Sequence, residues 1–236
     1  MTTTSTPATE QEIVRRSLRT PSSAALSGIA FSVLFTTALV LIHWAVPANP
    51  NDAGDWLTDS GRRRAVLVAL GLVPFAGIAF LWFIAVVRDR IGDSEDRFFA
   101  TVFLGSGLLF IAMLFVAAAV AAGLITSAGE ESLSVLNSGA WRTGRHMTYQ
   151  LLTVYSMRMA AVFTIAASTI LHRTATGPRW LAGAGYAIAV VLLTTSGYFA
   201  GVELLFPSWV FAASLHILVV SRKRNRAETP GATLTG

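Results

Sequence analysis

The chain has 236 residues, of which 53% are hydrophobic and 13% are charged, and its mean hydropathy is +0.59. Soluble domains carry about 25% charged residues, so this composition excludes an ordinary soluble domain and predicts an integral membrane protein. The chain has no cysteine, which excludes disulfide frameworks, thiolate metal sites, iron–sulfur clusters and cysteine nucleophiles. The net charge of +5 does not indicate nucleic-acid binding, because the basic residues stand at the ends of apolar stretches.

Six apolar stretches are long enough to cross a bilayer, whose hydrocarbon core of about 30 Å takes about 20 residues as a helix. They are residues 24–46, 65–87, 98–125, 149–171, 180–198 and 202–220. The last two form one apolar region too long for a single span, and Gly197, Gly201 and Pro207 indicate a turn within it. The predicted fold class is therefore all-α, a polytopic bundle of six transmembrane helices within residues 23–221.

The basic residues predict the orientation of this bundle. With the N-terminus inside, twelve arginine and lysine residues flank the inner ends of the spans and five flank the outer ends. The positive-inside rule then places both termini in the cytoplasm. Residues 1–22 and the basic segment 222–236 are predicted to be disordered tails, because they carry too little apolar surface to fold. The preference for arginine over lysine hints at a GC-rich bacterial genome, which predicts a bacterial cytoplasmic membrane.

Aromatic and basic residues near the helix ends bear on the same topology. Five tryptophans fall near predicted helix ends, where indole rings favour the membrane interface: Trp44, Trp82, Trp141, Trp180 and Trp209. The triplet Arg62–Arg64 stands on the predicted outer side, against the rule. We interpret it as contacting lipid headgroups of the outer leaflet.

Arg158 is the residue whose position is hardest to explain as membrane topology, because it falls inside the fourth span. A charge at that depth costs about 2.5–3.5 kcal/mol on insertion scales, so it should face protein or a cavity and have a partner. Tyr155 lies one turn away on the same side of the helix. Glu203, at the outer end of the sixth span, is the best carboxylate candidate. The sequence predicts a polar site of Arg158, Glu203 and Tyr155 that stabilises the bundle or binds a small anion or lipid headgroup.

Four histidines leave a haem site as an alternative. His43 and His146 fall near the predicted outer boundary, and His172 and His216 fall near the inner one. Two b-type haems would need such pairs at matching depth on facing helices. Interfacial histidines that hydrogen-bond water, headgroups or a neighbouring helix explain the same pattern, so we predict no cofactor and no metal site.

The sequence leaves three functions open. It has no Gly-x-Ser-x-Gly motif and no phosphate-binding loop, so we expect a non-enzymatic protein with the polar site above. The second is a haem- or quinone-binding redox protein. The third is a structural or assembly subunit of a membrane complex, because the Gly/Ala-rich faces of the third and fifth spans favour close helix contact or a homo-oligomer. The partner common to all three is the lipid bilayer.

Overall fold

The structure is a computed structural model. It describes residues 21–46, 55–57, 59–91, 97–130, 139–173, 178–195 and 201–228. Within these ranges the protein is helical and contains no strand. The predicted tails lie outside these ranges, apart from residues 21–22 and 222–228. The predicted turn at Gly197 also lies outside them.

Six helices follow one another along the described chain. They are α1 (Pro21–Ala45), α2 (Ser60–Ile91), α3 (Arg97–Glu130), a continuous helix made of α4 (Gly139–Tyr149), a π-helix (Gln150–Tyr155) and α5 (Ser156–Arg173), then α6 (Arg179–Thr195) and α7 (Leu205–Glu228). Residue contacts show that α1 and α2, α2 and α3, and α3 and the fourth helix run antiparallel. The end of the bundle near Trp141 is called here the Trp141 end, and the opposite one the Arg173 end.

Five of these helices are long and apolar enough to cross a membrane, which agrees with the predicted all-helical fold class and is consistent with an integral membrane protein. The helix α6 is shorter, with 17 residues. Several ends differ from the sequence prediction. The fourth helix begins at Gly139 rather than near residue 149, and α7 continues to Glu228, past the predicted boundary of the bundle. The predicted end of the fifth span at residue 198 lies outside the described residues.

Local capping explains where two helices begin. The Asp59 carboxylate accepts hydrogen bonds from the backbone N–H groups of Gly61 (2.8 Å) and Arg62 (3.3 Å), which makes it the N-cap of α2. Gly201, with φ of 91°, turns the chain into the short 3₁₀ segment Val202–Leu204 that leads into α7. A left-handed φ of this kind favours glycine, because it has no Cβ.

Phenylalanine rings fill the centre of the bundle. The rings of Phe31 of α1, Phe80 of α2, Phe110 of α3 and Phe206 of α7 have centroids 4.5–6.2 Å apart, and all of these pairs meet edge to face except the tilted pair Phe31–Phe80. Phe163 of α5 adds to them at 5.0 Å from Phe80. These rings are fully buried. Because lipid tails are as apolar as the core, such shape-matched contacts rather than transfer from water hold the helices together.

Two helix crossings depend on a glycine that faces a serine. Gly28 of α1 lies against Ser214 of α7, and Gly185 of α6 lies against Ser168 of α5, and in both pairs a Cβ on the glycine would collide with the serine Oγ. Both serine hydroxyls are buried without a hydrogen-bond partner. Glycine lets the two backbones approach closely, as is typical of membrane helix contacts.

A second apolar cluster closes the Trp141 end. It joins residues of α1, the 3₁₀ turn Asp55–Leu57, α2, α3 and α4, namely Ala45, Trp56, Leu57, Val66, Ile125 and Trp141. Gly144 of α4 lies against Leu124 of α3. This packing explains why the fourth helix starts earlier than its apolar sequence indicates.

Candidate polar site

Arg158 and Tyr155 lie on the surface of the bundle. Arg158 is exposed in α5, and Tyr155, three residues earlier, is 54% exposed. The three-residue spacing puts both side chains on neighbouring positions of one helix face. The guanidinium is therefore presented to the surroundings of the bundle rather than to its core.

A π-helix ends three residues before Arg158. Residues Gln150–Tyr155 form it, and Ser156 begins the regular helix α5. Inside the π-helix Thr153 donates from Oγ1 to the Tyr149 carbonyl at 2.8 Å. The wider turn changes the rotation of α4 relative to α5, so counting at 100° per residue across it misplaces the residues on its far side. Short π-helices are frequent at functional sites.

One hydrogen bond joins α5 to α6. The hydroxyls of Thr169 of α5 and Tyr186 of α6 share a hydrogen bond of 2.9 Å, which sets the two helices side by side. Arg158 lies eleven residues from Thr169, or about 16.5 Å along α5. The contact with Tyr186 is therefore far from the guanidinium of Arg158.

Glu203 has a different environment. It is 5% exposed, and its Oε2 accepts a hydrogen bond of 3.1 Å from the backbone N–H of Gly201. This contact resembles half of a capping box, and it places the carboxylate at the positive end of α7. No ion pair joins Glu203 to Arg158 among the described side chains, where Asp59 and Arg62 form a pair at 3.6 Å. The structure therefore brings Tyr155 and Arg158 together and leaves Glu203 as a cap.

The four histidines are distributed over three helices. His43 of α1 is exposed and donates from Nδ1 to the Leu39 carbonyl at 2.8 Å. His146 and His172 are exposed near opposite ends of the helix that contains α4 and α5, and His216 of α7 is half-buried. In the described ranges no three histidine or acidic residues cluster as metal ligands would.

The tryptophans divide into two groups. Trp44, Trp82 and Trp180 are 58–67% exposed, as residues at a membrane interface would be. Trp141 and Trp209, also predicted at the interface, are only 5% and 4% exposed, so their rings pack against the protein rather than against lipid headgroups. Trp209 instead donates from Nε1 to the Leu181 carbonyl of α6 at 3.1 Å. Sequence reasoning missed this contact, although the small residues of α6 signalled a close approach.

A groove of about 430 Å³ on the outside of α2 and α3 also had no counterpart in the sequence prediction. Six apolar residues and Arg88 line it. The signal available in the sequence was an arginine directly after an apolar span, which topology alone explains.

No protein-family model, curated protein or solved structure matches the chain. The class that the structure supports is an apolar helical bundle, consistent with an integral membrane protein.

Proposed function

We propose that this protein is a non-enzymatic, multi-pass membrane protein that binds the phosphate of a lipid headgroup through Arg158. The observation that carries the proposal is the exposure of Arg158 beside exposed Tyr155 on an otherwise apolar helix. A cation on such a surface needs an anionic or hydrated partner outside the bundle.

The depth of Arg158 supports a headgroup as that partner. Fifteen residues of α5 separate Arg158 from Arg173 at the end of the helix, which is about 22 Å along the axis. With Arg173 at one boundary of a hydrocarbon core of about 30 Å, Arg158 lies about 8 Å inside the other boundary. The arginine stem can extend along the helix so that the guanidinium reaches the phosphates, and Tyr155 favours the same interface.

The membrane topology belongs to the same proposal. We infer six spans, with α6 as the short one, both termini on the cytoplasmic side and a bacterial cytoplasmic membrane as the location. The supporting observations are the alternation of the helices and the exposed basic residues at the Arg173 end, including Arg88, Arg222 and Lys223. The exposed faces of α3 and α6 leave room for a homo-oligomer.

The test is lipid retention measured by native mass spectrometry of the purified full chain with added phosphatidylglycerol. Arg158→Gln should weaken retention of one lipid about fivefold, since a basic side chain near anionic lipid contributes about 1 kcal/mol. Arg142→Gln is the matched control, an exposed arginine of α4, and should retain the wild-type level of that lipid. Equal retention by wild type and Arg158→Gln would refute the proposal.

Three other outcomes would also overturn it, each in favour of a competing function. Energetic coupling between Arg158→Ala and Glu203→Gln in a double-mutant cycle would show a structural ion pair. A partner protein that co-purifies with wild type and is lost from Arg158→Gln would show an assembly subunit. A Soret band that disappears on replacing His43 or His216 would show a haem protein.

A further inference from the structure

We propose that the groove between α2 and α3 binds one acyl chain of an anionic phospholipid, with Arg88 holding its phosphate. This site is separate from Arg158 and lies toward the opposite end of the bundle, so the inference rests on the proposed membrane topology but not on lipid binding at Arg158.

The groove has the volume of a small-molecule binding site. Its volume of about 430 Å³ falls within the range of small-molecule sites, about 300–1,000 Å³. The apolar lining comes from two helices: Leu81, Trp82, Ile84, Ala85 and Val86 of α2, and Leu104 of α3. Trp82 is 58% exposed along it. In a bilayer such a surface is covered by lipid tails, and the residues at the end of the groove then determine which headgroup is bound.

A close helix contact lies partway along the groove. Gly107 of α3 lies so near α2 that a Cβ there would come within 2.6 Å of the Ile84 Cδ1. Beyond this contact, toward the Arg173 end, the groove continues along α2 to Arg88. An acyl chain lying in it would therefore have its headgroup at Arg88.

Arg88 is available for an anion, unlike two other arginines in the structure. It is exposed and forms no ion pair within the described part of the chain. Arg62 is paired with Asp59, and the Arg173 guanidinium lies 4.7 Å from the centre of the Phe99 ring. Apolar walls and one free guanidinium at the mouth match an amphiphile with a negative headgroup.

The test uses the absence of cysteine, which allows a single introduced thiol to be labelled. A fluorophore is attached to the cysteine of the Leu81→Cys variant, which lies on the groove. The protein is placed in unlabelled bilayers that contain traces of brominated phosphatidylglycerol or brominated phosphatidylcholine, and the quenching of the fluorophore by the two lipids is compared. Leu215→Cys on α7 is the matched control, because it lies seven residues before Arg222 just as Leu81 lies seven before Arg88, and both are about 40% exposed.

At Leu81 we expect phosphatidylglycerol to be preferred about fivefold over phosphatidylcholine, the equivalent of about 1 kcal/mol for one basic side chain. Arg88→Gln should remove this preference at Leu81 and leave the value at Leu215 unchanged. About 1 M salt should also reduce the preference for phosphatidylglycerol at Leu81, because the electrostatic screening length falls to about 3 Å. Ala85→Phe, which fills the groove without changing the charge, should reduce it as Arg88→Gln does.

Three results would overturn the inference. The first is equal quenching by both lipids at Leu81 in the wild-type background. The second is an equal loss of the preference for phosphatidylglycerol at Leu81 and at Leu215 in Arg88→Gln. That result would assign the preference to the general charge of this end of the bundle. The third is an unchanged preference in Ala85→Phe, since the headgroup would then bind without the groove.

Discussion

Replacing Gly185 with alanine should destabilise the bundle by about 2 kcal/mol. The added Cβ would collide with the Ser168 Oγ and would stand 2.8 Å from the Trp209 Nε1. Overpacking of this kind costs about 1–3 kcal/mol. The intrinsic gain from placing alanine in a helix, up to about 1 kcal/mol, offsets part of that cost. Moving Trp209 also weakens its hydrogen bond to the Leu181 carbonyl.

The chain provides a control two residues away. Gly183 lies in the same helix, and a Cβ there would meet no atom within 4 Å. Gly183→Ala should therefore leave the free energy of unfolding unchanged or raise it by up to about 1 kcal/mol. The two variants differ in their neighbours and not in the chemistry of the substitution.

Unfolding by a denaturing detergent, followed by tryptophan fluorescence, measures the difference. Ser168→Ala tests the assigned cause, because it removes the colliding oxygen and a buried hydroxyl without a partner. Combined with Gly185→Ala it should recover about 1 kcal/mol, leaving the contact with Trp209. Equal stabilities of Gly185→Ala and Gly183→Ala, or strictly additive effects of Gly185→Ala and Ser168→Ala, would refute this account of the crossing.

The aromatic core and the topology can be tested with matched pairs as well. Phe80→Ala should lower the free energy of unfolding by about 3 kcal/mol in the same assay, because the ring packs at the centre of the bundle. Phe75→Ala, on the exposed face of α2 (62% exposed), should lower it by less than about 1 kcal/mol. Similar losses in the two variants would contradict the central place of Phe80. For the topology, Thr143→Cys should react with a membrane-impermeant maleimide in intact cells and Lys223→Cys only after permeabilisation, and the reverse pattern would refute the proposed orientation.

The existence of the helices could be predicted from the sequence because a bilayer imposes one length and one composition on every span. Helix ends beyond the apolar stretches could not be predicted in this way. The fourth helix extends back to Gly139 because Trp141 packs in the cluster with Val66 and Ile125, a contact between residues far apart in the chain. The start of α2 at Ser60 did have a local signal, since Asp59 caps it.

The candidate site was predicted less completely, for a physical reason. Composition and spacing gave the position of Arg158 along its helix and its proximity to Tyr155. Whether the guanidinium faces the core depends on how the neighbouring helices pack around α5, and the spacing of apolar residues along one helix does not determine that packing. For Glu203 the sequence showed a carboxylate near a helix start, and the backbone N–H of Gly201 is a nearer partner than an arginine on another helix.

The pairing of Gly28 with Ser214 has a consequence for how the protein is assembled in a cell. These residues are 186 positions apart, and they join the first and the last of the described helices. During synthesis Gly28 can pack against Phe83 of α2, but its contact with Ser214 forms only after α7 has entered the membrane. The ring of contacts therefore closes only when the final helix arrives. Damage to α7 alone is then sufficient to leave an otherwise intact chain unassembled and exposed to quality-control proteases.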